Sequence, residues 1–305
     1  MSRDLSPEVD RLIEAALAED VGAGDWTTLW TVSEEARGSA TILARAGGVI
    51  AGTGPAGAVF CKLDPEVGVE WSRADGDRVQ AGDEVARLEG RLHAILTGER
   101  TALNFLGRLS GIATLTARYV EAVAGTGCRV IDTRKTTPGW RGLEKRAVAA
   151  AGGENHRIGL YDMVLLKENH IRHAGGVGRA LDLVLPRARS AGLPVEVEVT
   201  DLEELSMAIG RRAGDRADRV LLDNMSEEQL REAVRMVRAL DPPLPLLEAS
   251  GGVTLDAVRR IAETGVDLVS VGALTHSAAT LDVSLLLAAR GTEPAARRTG
   301  AEGTG

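Results

Sequence analysis

Six short apolar runs, at residues 128–133, 162–167, 195–200, 219–224, 244–249 and 266–272, alternate with helical patterns at 176–191, 201–212, 226–240 and 254–264. A strand, a helix and a further strand in succession imply right-handed βαβ units around a parallel sheet. Polar residues gather where each strand runs out: Asp132–Lys135, Lys167–His170, Glu196 and Glu198, Asp223–Asn224, Ser250–Gly252, and Gly272–His276. Function spread over nearly every strand end fits the C-terminal face of an α/β barrel. A doubly wound open sheet would concentrate it at one switch point. Six runs instead of eight predict an incomplete barrel.

The chain ahead of these repeats is different. MSRDLSPEVDRLIEAALAED reads as an amphipathic helix with Ser6 as N-cap and Pro7 at the first helical position. A Gly-rich region at 36–96 follows, in which ADGDRVQAGDEVARLEG (74–90) alternates apolar residues with Gly-Asp turns, as antiparallel strands do. That phrase resembles lipoyl and biotin carriers, but the only lysine before residue 135 is Lys62, in FCKLDPEVG with no symmetric hairpin around it. A structural β-layer covering the second domain is the expectation. From Gly98 to Val123 the pattern is helical, and Arg100, Asn104, Gly107, Arg108 and Gly111 fall at spacings of three and four. Such a small, polar stripe allows close approach of a backbone or a ligand. The expected division is therefore an N-terminal α+β domain over 1–115, a barrel domain over 116–290, and a disordered tail over 291–305, where GTEPAARRTGAEGTG is poor in hydrophobic residues.

With 305 residues, 44% hydrophobic and only 3% aromatic, the chain has ample length for two aliphatic cores. A net charge of −8 argues against general nucleic-acid or anionic-membrane binding. No apolar run of about twenty residues and no signal-peptide pattern occurs, and the two cysteines, Cys61 and Cys128, form neither a disulfide framework nor a metal-ligand spacing. These features predict a cytoplasmic protein without a membrane span.

Against that acidic background, residues 132–171 concentrate Arg134, Lys135, His156, Arg157, Lys167 and His170. Only four lysines accompany thirty-two arginines, and Lys135 and Lys167 both follow apolar strand-like runs, VIDT and MVLLK. Cations placed there, and not along a helix surface, predict a site for a small anion. Glu196 and Glu198 are two apart in VEVEV and so face the same side, toward the barrel interior. A buried carboxylate must be paired or bind a metal, so Glu198 and Asp223 are candidates for a hard cation such as Mg²⁺; an internal salt bridge is the alternative for all three acids, most of all for Glu196. Ser250, Gly251 and Gly252, then Gly272 and Ala273, follow the last two strands, where glycine lets backbone N–H groups reach a phosphate. His276 is either a further phosphate contact or a helix-start residue.

The motifs DTRKTTPG (132–139), NHRIGLYD (155–162), LLKENH (165–170), VEVEV (195–199), LLDN (221–224), EASGGV (248–253) and VSVGALTHS (269–277) resemble the quinolinate phosphoribosyltransferase family. GERTALNFLGRLSGIAT (98–114) fits as well, so the resemblance spans about residues 5 to 290. Two departures are small: Ala151 stands where the family usually has glycine, and Glu168 where it more often has aspartate. The resemblance implies an open seven-stranded barrel and a Mg²⁺-dependent transferase of NAD biosynthesis. Such an enzyme converts quinolinate and phosphoribosyl pyrophosphate (PRPP) to nicotinate mononucleotide, pyrophosphate and CO₂. It further implies that Arg134, His156, Arg157 and Lys167 hold quinolinate, that Lys135 meets the pyrophosphate, and that Glu198 rather than Glu196 serves the ribose or metal. Lys135, Glu198 and Asp223 form the implied catalytic set. It also implies a homodimer with shared sites, in which Arg100 reaches the neighbour's substrate.

The residues suit that chemistry. Bidentate arginines match a dicarboxylate, and glycosyl transfer needs positioned reactants and stabilised charge more than a nucleophile–base pair. Two rivals stand beside this reading: a paralogue similar to molybdenum-transport-associated proteins with a different acceptor, and a non-catalytic anion-binding barrel. The full set of charged motif positions disfavours the second.

Overall fold

The computed structural model describes residues 6–288; the expected tail over 291–305 lies outside them. Helix α1 (Pro7–Val21) begins where Pro7 permits it, although the Ser6 side chain makes no capping hydrogen bond. Helix α2 (Trp26–Thr31) is capped by Asp25, whose carboxylate accepts from the Thr28 N–H at 3.0 Å. The N-terminal layer continues through β1 (Arg37–Ala44), β2 (Gly48–Val49), α3 (Thr53–Leu63), β3 (Gly68–Trp71), β4 (Arg78–Val79) and β5 (Glu84–Arg91). The expected antiparallel strands exist, but β4 and β5 do not pair with each other: β4 pairs with β2, and β5 lies between β1 and β3. Lys62 is on α3, ion-paired with Asp10 and Glu14 of α1, and so holds a helix in place.

Helix α4 (Leu92–Ala122) passes through position 115 without a break, joining the two halves of the chain. The barrel elements are β6 (Arg129–Ile131), α5 (Arg141–Ala150), β7 (Val164–Leu166), α6 (Glu168–Ala174), α7 (Val177–Ser190), β8 (Val195–Val199), α8 (Leu202–Ile209), β9 (Arg219–Asp223), α9 (Glu227–Arg238), β10 (Leu246–Ser250), α10 (Leu255–Ala262), β11 (Leu268–Ser270) and α11 (Ala273–His276). Each predicted run contains, or overlaps by most of its length, one of these strands. They form one parallel sheet in the order β6-β11-β10-β9-β8-β7. First and last strands in this order, β6 and β7, are consecutive in sequence and unpaired with each other, so the barrel stays open between them. A parallel bridge from Ile131 to Glu154 adds a one-residue seventh strand on the β6 side of the gap.

The final strand, β12 (Val283–Leu287), leaves the barrel and pairs antiparallel with β1. Residues 279–281 lead to it across α4. At Gly111 a Cβ would lie 2.0 Å from the Ala279 carbonyl oxygen, and at Gly107 one would lie 2.9 Å from that of Leu281. The Leu281 N–H also donates to the Gly107 carbonyl at 3.0 Å. The close backbone approach that this stripe allows is made by the chain's own return segment, so Gly107 and Gly111 are not available to pack on a partner subunit. Glycine is required because backbone, which cannot rotate away, occupies the space of any side chain.

Candidate active site

The loop after β6 carries the first cations and is anchored from below. Glu144 on α5 is fully buried and accepts from the Thr137 N–H at 3.1 Å, the Thr137 hydroxyl at 2.8 Å and Arg108 of α4 at 3.1 Å. Trp140 stacks on Phe105 of α4 with centroids 4.8 Å apart, a contact worth about 0.5–1.5 kcal/mol beyond its area. Arg141 donates to Thr136 at 3.0 Å and to the Ile158 carbonyl at 3.1 Å, tying this loop to the 154–163 segment. Held in this way, Arg134 is half-buried with its Nε hydrogen-bonded to nothing, and Lys135 projects exposed.

Lys135 reaches one side of a cavity of about 550 Å³ that is also lined by Thr133, Asp223, Ser250, Gly251, Gly252, Gly272, Ala273 and His276. Every residue expected at the phosphates and ribose, apart from Glu198, lines this space. One glycine there is sterically compelled and a second is closely packed. A Cβ on Gly251 (φ +101°) would lie 2.1 Å from Asn224 Oδ1, and one on Gly272 would lie 3.1 Å from both His276 Nε2 and Lys135 Cδ. Asn224 itself is left-handed, with φ 53°; its Nδ2 donates to Asp223 Oδ2 at 2.8 Å and its N–H donates to the Ser250 carbonyl at 2.9 Å. Such a conformation is tolerated by asparagine better than by most side chains, and here it holds Asp223 against the Ser-Gly-Gly turn. Burial, and after it the nearby Glu198 carboxylate, push the Asp223 pKa up. A carboxylate so disfavoured as an anion gains from a cation beside it.

Glu198 lies beyond the cavity lining. Its Oε2 accepts from Lys167 Nζ at 2.6 Å, and its Oε1 from the Glu168 N–H at 3.4 Å. Lys167 and Glu198, assigned by sequence to different substrates, are therefore partners across the β7 and β8 ends. His170 joins no ligand site: its Nδ1 accepts from the Lys167 N–H at 3.1 Å and caps α6.

Arg157 donates from one terminal nitrogen to the Met163 carbonyl at 3.0 Å, while its buried Nε has no partner. Burial lowers its pKa, followed by the Arg134 charge nearby. Two half-buried guanidiniums repel each other here, offset at Arg157 by Glu196 and Asp162, and an anionic ligand between them would be stabilised. His156, which the resemblance places at quinolinate, faces inward in this structure. It is only 8% exposed, its Nδ1 accepts from the Arg157 N–H at 2.7 Å, and its Nε2 lies 2.8 Å from Glu196. The Nδ1 is thus engaged by the backbone, while Nε2 faces Glu196 without an aligned hydrogen bond. Burial lowers the His156 pKa, which keeps the ring neutral.

Arg100 makes no hydrogen bond or ion pair with any of these residues. It is exposed on α4, about 12 Å along the helix axis from Arg108, the residue that touches Glu144 and Thr275 beneath the site.

Supporting residues escaped the sequence reading. Lys145 is fully buried on α5, where it pairs with Asp132 and donates to the His156 carbonyl at 3.0 Å. Asp132 also accepts from the His156 N–H at 2.8 Å. The signal was faint: a lysine inside RGLEKRAVAA has the pattern of a solvated helix face.

Residues 112–286 match the family model "Quinolinate phosphoribosyl transferase, C-terminal domain" and residues 25–110 its N-terminal domain. The chain belongs to the quinolinate phosphoribosyl transferase family. A probable nicotinate-nucleotide pyrophosphorylase (carboxylating) of Synechocystis is 42% identical over 277 residues, covering 91% of this chain and 92% of that protein. The chloroplastic nicotinate-nucleotide pyrophosphorylase (carboxylating) of rice, Oryza sativa, is 41% identical over 293 residues, covering 91% of this chain and 77% of the relative. Among solved structures, the nicotinate-nucleotide pyrophosphorylase of Francisella tularensis superposes with a TM-score of 0.86 at 39% identity, covering 94% of this chain and 98% of that one. Membership in this family explains the open barrel and the two-domain build. No helix among the described residues is long and apolar enough to cross a membrane.

Proposed function

We propose that this chain transfers the phosphoribosyl group of PRPP to the ring nitrogen of quinolinate, yielding nicotinate mononucleotide, pyrophosphate and CO₂ in NAD biosynthesis. The observation that carries this reading is the adjacency of two subsites on one loop. Lys135 faces the Gly-lined cavity, and Arg134, the residue before it, belongs with Arg157. PRPP suits the cavity: Ser250–Gly252, Gly272, Ala273 and His276 for the phosphate, Asp223 for the ribose, Lys135 for the departing pyrophosphate. Quinolinate suits the two guanidiniums and Lys167, with a carboxylate exchanging places with Glu198 on the lysine.

The bond from ribose C1 to the pyrophosphate oxygen breaks as the bond from the pyridine nitrogen to C1 forms. Lys135 stabilises the leaving oxygens. The nitrogen becomes cationic, so the ring accepts the electron pair left when the adjacent carboxylate departs as CO₂, and a proton then fills the vacated carbon. Glu198 and Asp223 fit Mg²⁺, being oxygen donors of which Asp223 is raised by burial and by its acidic neighbour. Magnesium bound there with PRPP would neutralise pyrophosphate charge.

The active unit on this reading is a homodimer. Arg100 is exposed on α4 and contacts none of the acceptor residues of its own chain, whereas Leu160 and Tyr161, more than 70% exposed, form an apolar rim next to Arg157 on which a second subunit would close. Calorimetry with each ligand alone tests the subsites. Glu198→Ala and Asp223→Ala should weaken PRPP–Mg²⁺ binding and leave quinolinate binding nearly intact. Equal loss of both ligands would return these acids to a structural role.

A further inference from the structure

His156 leads to a pair of acids that the reaction above does not use. Glu196 on β8 and Glu248 on β10 flank Arg219 of β9, and both carboxyls are fully buried. Glu248 Oε2 accepts from Arg219 at 2.9 Å and lies 3.6 Å from His156 Nε2; Glu196 Oε2 lies 2.8 Å from the same nitrogen. Because His156 Nδ1 accepts the Arg157 N–H, the proton of the neutral ring is on Nε2. One arginine and one neutral imidazole thus face two carboxyl groups. Both Glu196 oxygens and Glu248 Oε1 are buried and make no hydrogen bond to the protein, while an oxygen of each carboxyl lies within 4.8 Å of one of the other. Two buried anions so short of donors are costly; a single proton between them supplies the missing donor and removes one charge.

We propose that Glu248 is a positioning residue: it holds a proton that it donates to Glu196, and this singly charged pair keeps His156 neutral, with Nδ1 free to fix the Arg157 backbone. Arg157 is thereby aimed at the acceptor dianion, a step that rests on the proposed function. Burial and then the Glu196 charge push the Glu248 pKa up to about 7, so the proton is present at neutral pH and below. The other charges facing the group are Arg157 and Lys167 on the Glu196 side and Lys145 and Arg157 on the His156 side. Once the proton is lost, a second negative charge sits beneath a ligand that is itself a dianion. A divalent cation is the rival occupant, since one ligand atom from each of His156, Glu196 and Glu248 lies within 4.8 Å of the others.

The test uses the full chain as wild type, Glu248→Gln, Glu248→Ala and Arg157→Ala, with acceptor KM, PRPP KM and kcat measured from pH 6 to 9. Wild-type acceptor KM should rise above pH 7. Glu248→Gln, a permanently neutral donor of the same shape, should match wild type at pH 6.5 within about twofold and stay flat to pH 9. Glu248→Ala should raise acceptor KM about tenfold, the loss of one hydrogen bond to a charged group, and leave PRPP KM unchanged. If Glu248→Ala destroys the fold, the glutamine pH profile decides alone; a glutamine variant that cannot fold excludes the neutral pair. The proposal is overturned by a glutamine variant as impaired as alanine, by a flat wild-type profile, or by a stoichiometric divalent ion in the purified protein that Glu248→Gln loses. If Arg157→Ala leaves acceptor KM unchanged, the assignment of the acceptor site fails instead.

Discussion

The Thr275 hydroxyl donates to the Lys135 carbonyl at 2.8 Å, across 140 residues of sequence. This bond joins the helix after the last barrel strand to the loop after the first, which are neighbours because β6 pairs with β11. Lys135 is consequently held by its backbone while its exposed side chain remains free to meet a ligand. Lys135→Ala should therefore lose about tenfold to about 150-fold in turnover, corresponding to about 1.5–3 kcal/mol for a contact to a charged group. Its urea midpoint should match wild type. A fully active Lys135→Ala enzyme would make this lysine a surface charge.

Much of this arrangement is legible in the sequence, and the remainder has identifiable causes. Alternating apolar runs and helical patterns locate the strands because burial on both faces leaves a continuous apolar signature. Glycines at 251 and 272 mark themselves by following strands. The Glu196–Glu248 pair is hidden, since its members stand on β8 and β10, which meet only through the strand order that puts β9 between them. The strand β12 is hidden for a related reason: VSLLL follows the barrel in sequence, and nothing local shows that it returns to β1. His156 belongs to a cationic motif, yet its surroundings turn it inward to Glu196.

Lys145 gives a stability prediction. It is fully buried with Asp132 as its ionic partner, so Lys145→Met leaves a carboxylate uncompensated. Removing one member of a buried pair costs about 3–5 kcal/mol. Chemical denaturation should show a loss of that order, with the acceptor site weakened because the His156 carbonyl also loses its donor. A loss under about 1 kcal/mol, no more than an exposed ion pair contributes, would mean that Asp132 is neutral or otherwise compensated.

Glu248 gives a pH dependence of stability. Its folded pKa, about 7, exceeds the ordinary value of 4.5. The folded state therefore binds the proton more tightly than the unfolded state, and its contribution is fully present below about pH 4.5. That contribution is lost as pH rises through 7. Thermal unfolding of wild type should accordingly lose stability relative to Glu248→Gln between pH 5 and 8. A difference between the two that is constant over this range contradicts the shared proton.

The return segment over α4 predicts intolerance at Gly111. Gly111→Ala would force its Cβ against the Ala279 carbonyl, and overpacking of this kind costs about 1–3 kcal/mol. Denaturant unfolding measures it. An unchanged stability would show that the 279–281 segment lifts away at no cost.

Shared sites are tested by mixing Arg100→Ala and Lys135→Ala subunits under conditions of proven exchange. Each mixed dimer has one doubly defective site and one intact site, so random pairing restores about a quarter of wild-type activity. A mixture as inactive as its parents would confine Arg100 to its own subunit or to no site.

Turnover tests the central claim most directly. Purified enzyme with PRPP and Mg²⁺ is offered quinolinate, nicotinate or nicotinamide in parallel, and CO₂ and pyrophosphate are measured. The proposed function predicts equal amounts of both products from quinolinate and essentially none from the other two, because on that reading Arg134, Arg157 and Lys167 hold a dicarboxylate. Rapid pyrophosphate release with nicotinate, and none with quinolinate, would contradict it.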